Sequence, residues 1–198
     1  MLTHSYQKGD TIIEVLLAVT IFSMVAVGAL QIMSQGTNTA QRAIEITLVR
    51  QQIDSQVEAI RAAHQQASTQ RSISGTEWEK ITNVYDATAT PFVVDELCPE
   101  TQAEVSDSFV MQPYTAQKLP LVGSTWYKSP RDVTAPPFAQ IVTDPAPAVS
   151  YGLWIEPVLA GGVGTTPGAY TFRVRACWES VGVSKPMTLE TVVKLYEI

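Results

Sequence analysis

Histidine and cysteine are scarce in this sequence, which has two of each among 198 residues. A Ser-His-Asp or Cys-His catalytic site needs a histidine beside its nucleophile, and a zinc site needs clustered Cys and His ligands. His4 lies close to the N-terminus, which leaves His64 as a lone candidate on a predicted helix, where a solvated position is the simpler interpretation. The sequence therefore predicts no enzymatic activity, no metal site and no cofactor.

Basic residues are also few, since 13 Lys and Arg face 19 Asp and Glu and the net charge is −6. Nucleic-acid binding surfaces are usually strongly basic, so the sequence argues against direct nucleic-acid binding. The glycine-rich run from Gly161 to Gly168 lacks the Gly-Lys-Ser/Thr ending of a phosphate-binding loop, and we interpret it as a hairpin turn.

Charge is absent altogether from Val15 to Gln41. A helix needs about 20 mostly apolar residues to cross a bilayer, so this stretch predicts a membrane helix that includes Val15 to Leu30. Glu14 follows Ile12 and Ile13 and so lies inside the apolar run. A carboxylate costs about 2.5–3.5 kcal/mol at the centre of a bilayer and less toward its ends, so Glu14 is expected to have a function.

The heptapeptide Lys8-Gly9-Asp10-Thr11-Ile12-Ile13-Glu14, followed by a long apolar helix, resembles the class III signal of type IV prepilins. The resemblance implies that a prepilin peptidase cuts between Gly9 and Asp10 on the cytoplasmic side and methylates the new N-terminus. Thr11 fits the polar position of the family's pattern, whereas Asp10 departs from its usual Phe or Met. Glu14 would be the fifth mature residue and would set axial register by pairing with a neighbour's N-terminus.

The function implied by this resemblance is that of a structural subunit of a type IV pilus. A minor pilin is favoured because the middle of the chain is long, irregular and rich in proline. The implied partners are other pilin subunits, the prepilin peptidase, a platform protein and an assembly ATPase. Lys8 before the helix indicates a single-pass membrane protein with a cytoplasmic N-terminus, its bulk outside, and later a place in a cell-surface filament.

Two other function classes remain open at this point. The chain is also compatible with a pseudopilin of a DNA-uptake or type II secretion machine, and with a membrane-anchored binding or adhesion domain that joins no filament. Ala26 to Ala29 imitates the cut site of a secretory signal peptide, although the apolar run is longer than such a signal requires.

The expected fold is α+β, with a long N-terminal helix packed on a C-terminal antiparallel β-sheet. We divide the chain into a leader (1–9), a membrane or filament-core helix (10–35), an amphipathic continuation (36–72) and an extracytoplasmic head (73–198). Gly28 and Gly36 are expected to be sites of bending. The continuation carries an apolar stripe at helical spacing, while its charged side chains, Glu45 included, lie mostly elsewhere. The stripe comprises Ile46, Val49, Ile53, Val57 (or Gln56) and Ile60.

In the head, Thr76 and Glu79 are predicted to form a capping box at the start of a short helix. Three strands are expected at 149–155, 170–178 and 188–196, joined as an antiparallel meander. In the second strand, Tyr170, Phe172, Val174, Ala176 and Trp178 share one face, and Arg173 and Arg175 share a solvent face. Short strands are also expected at 92–94 and 108–111, and a loop at 129–147.

Cys98 and Cys177 form an even pair in a domain expected outside the cell, which indicates one disulfide, with two buried thiols as the alternative. Acidic residues cluster within a short span without EF-hand spacing, and solvated loop charges are the simpler interpretation. Aromatic residues offer a sugar-binding surface, although tryptophans on strands usually belong to a core. The acidic group is Asp95, Glu96, Glu100, Glu104 and Asp107, and the aromatic group is Trp78, Trp126, Tyr127, Trp154 and Trp178.

Overall fold

A computed structural model describes residues 10–69, 75–82, 98–99, 108–112, 114–120, 138–142, 149–158 and 168–196. The chain divides into two compact units, Met1–Ala43 and Ile44–Ile198. The fold is α+β, as the sequence predicts, because a long N-terminal helix packs on a C-terminal antiparallel sheet.

Helix α1 spans Asp10–Thr69 without interruption. The helix does not unwind at Gly28 or Gly36, since both residues are helical. Two hydroxyl groups near Gly36 donate within the helix, that of Thr37 to Ser34 O at 2.9 Å and that of Thr39 to Gln35 O at 2.9 Å. These side chains therefore bond inside the helix and do not stabilise a competing turn.

Helix α2 spans Glu77–Thr82 and begins with the predicted cap. The Thr76 hydroxyl accepts a hydrogen bond from the Glu79 backbone N–H at 3.3 Å. The Glu79 carboxylate reaches back to the N–H of Gly75 at 2.6 Å, one residue earlier than the usual reciprocal bond. Gly75 has a φ of 85°, a backbone conformation that suits glycine at this turn.

Within the described residues, seven strands form two antiparallel sheets. The larger sheet has the order β2-β1-β5-β6-β7, and β3 pairs with β4 in the smaller one. The last three strands of the larger sheet form the predicted meander. The strands are β1 Phe109–Gln112, β2 Gln117–Pro120, β3 Gln140–Val142, β4 Val149–Tyr151, β5 Leu153–Val158, β6 Ala169–Trp178 and β7 Met187–Tyr196.

The predicted single strand at 149–155 is wrong, because Gly152 divides it. Gly152 has a φ of 59°, so the chain turns there and β4 and β5 join different sheets. A hydrogen bond from β6 stabilises this break, since Cys177 N–H donates to Gly152 O at 2.8 Å. Strands β2 and β3 were not expected; β3 lies inside the predicted loop at 129–147, and the strand predicted at 92–94 lies outside the described residues.

The core lies between the second half of α1 and one face of the larger sheet. The predicted stripe is confirmed, since Val49, Ile53, Val57 and Ile60 are buried and Ile46 packs against them. The predicted inner face of β6 is confirmed as well, with Phe172, Val174, Ala176 and Trp178 in the core and Tyr170 beside it. Trp78 of α2 closes one side, edge-to-face with Tyr170 and Phe172 at centroid distances of 5.4 and 5.9 Å.

Candidate functional site

Large apolar side chains are exposed on every side of α1 in the N-terminal unit. A helix of a globular protein normally exposes apolar residues on one stripe only, so a helix that is apolar all round belongs in lipid or in a protein interior. The exposed stretch spans roughly 33 Å at 1.5 Å per residue, close to the thickness of a hydrocarbon core. Its members include Ile12, Ile13, Val15, Leu16, Leu17, Val19, Ile21, Phe22, Met24, Val25, Val27, Leu30, Ile32 and Met33.

This helix is long and apolar enough to cross a membrane, and none of its most apolar window is buried. Length and composition alone are shared with signal sequences and with buried core helices. The exposure of its side chains separates it from a core helix. The predicted membrane segment from Val15 to Leu30 thus lies wholly within one helix.

Glu14 lies at the N-terminal end of this apolar surface and is itself exposed. Within residues 10–69 no cationic side chain contacts its carboxylate. Asp10 is the first residue of α1 and precedes Glu14 by four positions. Thr11 is in the first turn, whereas Gly9 lies outside the described residues.

The few hydroxyl groups of the apolar segment bond within the helix. Thr20 donates to Leu17 O at 2.8 Å, and Ser23 donates to Val19 O at 2.7 Å. In lipid no water is present to satisfy such groups, and an unpaired one costs several kcal/mol. These hydrogen bonds therefore make the two side chains compatible with apolar surroundings.

The position predicted for Glu45 is wrong. This residue was expected on the charged side of the helix, but it is 3% exposed, and its Oε2 accepts hydrogen bonds from Trp178 Nε1 at 3.3 Å and from the Ser180 hydroxyl. These donors make burial of the carboxylate tolerable. The available signal was its spacing, since Glu45 lies four residues before Val49 and so continues the apolar stripe.

The expected solvent face of β6 is wrong for Arg175. Its Nη1 lies 3.4 Å from Glu156 Oε1, its Nε lies 3.2 Å from Glu190 Oε2, and its guanidinium lies 5.9 Å from the centre of the Trp154 ring. Arg173 Nε lies 3.9 Å from the same Glu190 oxygen. Trp154 is fully buried, so this second face of the sheet is also covered. Arg175 is paired with two carboxylates, whereas Arg173 Nε is buried and lies beyond hydrogen-bond distance of Glu190.

The disulfide between Cys98 and Cys177 is formed, which settles the alternative of two thiols. His64 is half-buried and not a solvated helix position. Its Nε2 donates to Tyr196 O at 2.9 Å, and its ring packs edge-on against Trp78 at 4.7 Å. A histidine that donates to a backbone carbonyl and packs on a tryptophan has a structural role.

The other candidate ligand groups fall mostly outside the described residues. These are the acidic group from Asp95 to Asp107, the pair Trp126 and Tyr127, and most of the run from Gly161 to Gly168. Among the side chains that the structure does describe, no group of three or more His, Cys, Asp or Glu is placed to hold a metal ion. The apolar segment of α1 with Glu14 at its end is thus the feature that a function must explain.

Comparison with known proteins identifies no relative, since no family model, curated protein or solved structure matches the chain.

Proposed function

We propose that this protein is a structural subunit of a type IV filament, a minor pilin, inserted in the membrane through α1 and later assembled through the same helix. One observation carries the proposal: a continuous helix is apolar on all sides from Ile12 to Met33 and has a carboxylate, Glu14, at its N-terminal end. A plain anchor accounts for the apolar surface but gives Glu14 no role. Packing of several such helices side by side accounts for both.

The mechanism is assembly without catalysis. Cleavage after Gly9 by a prepilin peptidase creates an α-ammonium group on Asp10, and that cation is a partner for a buried Glu14 carboxylate of a neighbouring subunit. A buried charge without a partner is strongly destabilising, so this pairing selects one axial offset between helices. A platform protein and an assembly ATPase move the subunit from the membrane to the filament, and the head stays outside the cell.

The direct test of processing is mass spectrometry of the N-terminal peptide from native membranes, with and without the prepilin peptidase. We expect a chain that begins at Asp10, methylated or not, only when the peptidase is present. A chain that retains Met1, or one cut near Ala29, would remove the basis for the proposal and leave an anchored or a secreted domain.

The test of assembly is Glu14→Ala in cells that make the filament. We expect normal processing and membrane levels but at least about tenfold less of this subunit in sheared filaments, because the register contact of roughly 1.4 kcal/mol or more is lost. Glu58→Ala is the matched control, since Glu58 is an exposed carboxylate on the second half of α1. Equal incorporation of both variants would contradict the assigned role of Glu14.

A further inference from the structure

The two edges of the larger sheet differ in how they are covered. At the β2 edge, Glu77 of α2 accepts a hydrogen bond from the backbone N–H of Lys118 at 3.0 Å, and Lys118 Nζ donates to Lys80 O at 2.9 Å. At the other edge, in the part of the chain that the structure describes, β7 pairs with β6 alone. Among the described residues no second strand pairs with this ten-residue strand, and an open edge of that kind is a template for pairing with another chain.

The register shows which backbone groups of β7 point away from the sheet. Cys177 N–H points to Gly152, so odd-numbered residues of β6 face β5 and even-numbered ones face β7. Ala176 lies opposite Leu189, so the odd-numbered residues of β7 bond to β6 and the even-numbered ones point outward. His64 confirms the direction at one end, because it binds Tyr196 O. The outward backbone groups therefore belong to Thr188, Glu190, Val192 and Lys194.

The side chains of these same residues are exposed, Val192 to 57%, and Glu190 and Lys194 lie two positions to either side of Val192. An antiparallel copy of β7 centred on Val192 places Glu190 opposite Lys194 of the second copy, and the reverse. The carbonyl of Tyr196 is already bonded to His64 Nε2, so the pairing runs from Glu190 to Lys194 and does not extend to Tyr196. On the core side, where both are partly buried, Leu189 of one copy and Leu195 of the other flank this pairing. We propose that β7 is a docking edge for a second copy of this chain, which continues the sheet across a twofold axis.

The charged side chains of β7 favour pairing with the same strand of a second copy. A lysine on an edge strand normally discourages pairing, because it meets an apolar or like-charged neighbour. Here each Lys194 lies opposite a Glu190 of the other copy. Side chains of opposite charge at directly opposed positions of two strands stabilise the pairing. Glu190 already contacts Arg175 and Arg173 of its own subunit, and Lys194 Nζ lies 5.6 Å from its own Tyr196 ring centre. An incoming Lys194 completes an alternating row of charges.

This contact is distinct from the packing of apolar helices. The twofold axis is perpendicular to the sheet, and residues 49–67 of α1 lie along the sheet, so these segments of the two copies run in opposite directions. Subunits packed side by side in one filament run in the same direction. The inference therefore concerns association of two heads through their sheets, and it stands independently of the proposed function.

The test is disulfide trapping of the full chain in detergent. Val192→Cys places two thiols at the twofold axis, with Cα atoms about 5.5 Å apart, within the range of a disulfide. Thr188→Cys is the matched control on the same strand and face, where the paired positions would be about 27 Å apart. We expect covalent dimers from Val192→Cys under mild oxidation and a yield from Thr188→Cys at least about tenfold lower. Equal yields would assign association to the apolar helices, and no dimer from either variant would equally overturn the inference.

The charge pattern gives a second readout. Adding Lys194→Glu to Val192→Cys puts two carboxylates opposite each other twice per dimer, and we expect about tenfold fewer covalent dimers. Lys185→Glu makes the same charge change in the loop between β6 and β7 and should leave the yield unchanged. A yield that falls equally in both variants would show a dependence on net charge and would refute the pairing.

Discussion

The side chain of Gln56 joins α1 to the larger sheet. Its carboxamide makes the two hydrogen bonds that the backbone of a neighbouring strand would make. Strand β1 pairs with β5 only at Phe109, so the backbone of Met111 has no strand partner on that side. The fully buried Gln56 carboxamide takes that place: its Nε2 donates to Met111 O at 2.8 Å, and its Oε1 accepts from Met111 N–H at 2.7 Å. One side chain satisfies both polar groups, which fixes the position of β1 against α1.

Replacement of Gln56 by Ala should be strongly destabilising. It leaves a buried N–H and a buried C=O unpaired, at about 1–3 kcal/mol each, so we expect the free energy of unfolding in urea to fall by about 2–6 kcal/mol. Gln51→Ala is the control on the exposed side of the helix, where about 0.5 kcal/mol or less is expected. Equal effects for the two variants would show that the double hydrogen bond contributes little.

Gln56 and Glu45 also show what sequence reasoning predicts at this scale and what it does not. Both lie at helical spacing with the apolar stripe, so the burial of these positions was open to prediction. Their partners were not, because Met111 and Ser180 are distant in sequence and reach them only through tertiary packing. A polar residue on an apolar stripe therefore predicts a buried hydrogen bond, but the sequence does not show which residue is the partner.

At the scale of elements, α2 covers the β2 edge through a titratable group. Burial alone would raise the pKa of Glu77, but hydrogen bonds from Lys80 Nζ and from the backbone N–H of Lys118 outweigh it and lower the pKa below the usual 4.5. A carboxylate with a lowered pKa stabilises the fold above its unfolded-state pKa. That contribution is lost as the pH falls through the lower, folded-state value.

Glu77→Gln should therefore remove part of the acid sensitivity of the protein. At neutral pH the variant is expected to be less stable than the wild type, and the difference should shrink as the pH falls below about 4.5. Urea unfolding measured at a series of pH values gives the two curves, with Glu58→Gln as an exposed control. A gap that stays constant from neutral to acid pH would contradict the assignment.

The helices and strands differ in whether the sequence patterns that predict them are local. Helix α1 and strands β6 and β7 were predictable, because side-chain periodicity and turn residues are local properties of the chain. The break at Gly152 was not, because it depends on a hydrogen bond from Cys177 and on the separate partners of β4 and β5. Strand β2 was missed for a related reason, since its four residues gain their order from β1 and from Glu77.

At the scale of the whole molecule, the disulfide from Cys98 to Cys177 closes a loop with a sequence separation of 79. Both cysteines are buried, and Cys177 lies on β6. In the chain-entropy description, such a crosslink removes many conformations of the unfolded chain.

Replacing both cysteines by Ser should lower the free energy of unfolding by about 4–5 kcal/mol. Chemical denaturation of the wild type with and without a reductant in the unfolding buffer provides the matched comparison, since reduction opens the same loop without a substitution. A loss below about 1 kcal/mol in both cases would show that the unfolded chain is already compact around this loop.

The internal hydrogen bonds of Thr20, Ser23, Thr37 and Thr39 have a consequence for the whole chain. A hydroxyl group that is hydrogen-bonded to a molecule outside its own helix must change partners when the helix enters a new environment. Each such change adds to the free-energy barrier of the transfer. These four hydroxyls keep their partners because donor and acceptor travel on the same helix. A move of this helix from lipid into a protein interior, which the proposed function requires, would therefore need no exchange of hydrogen bonds at these four positions.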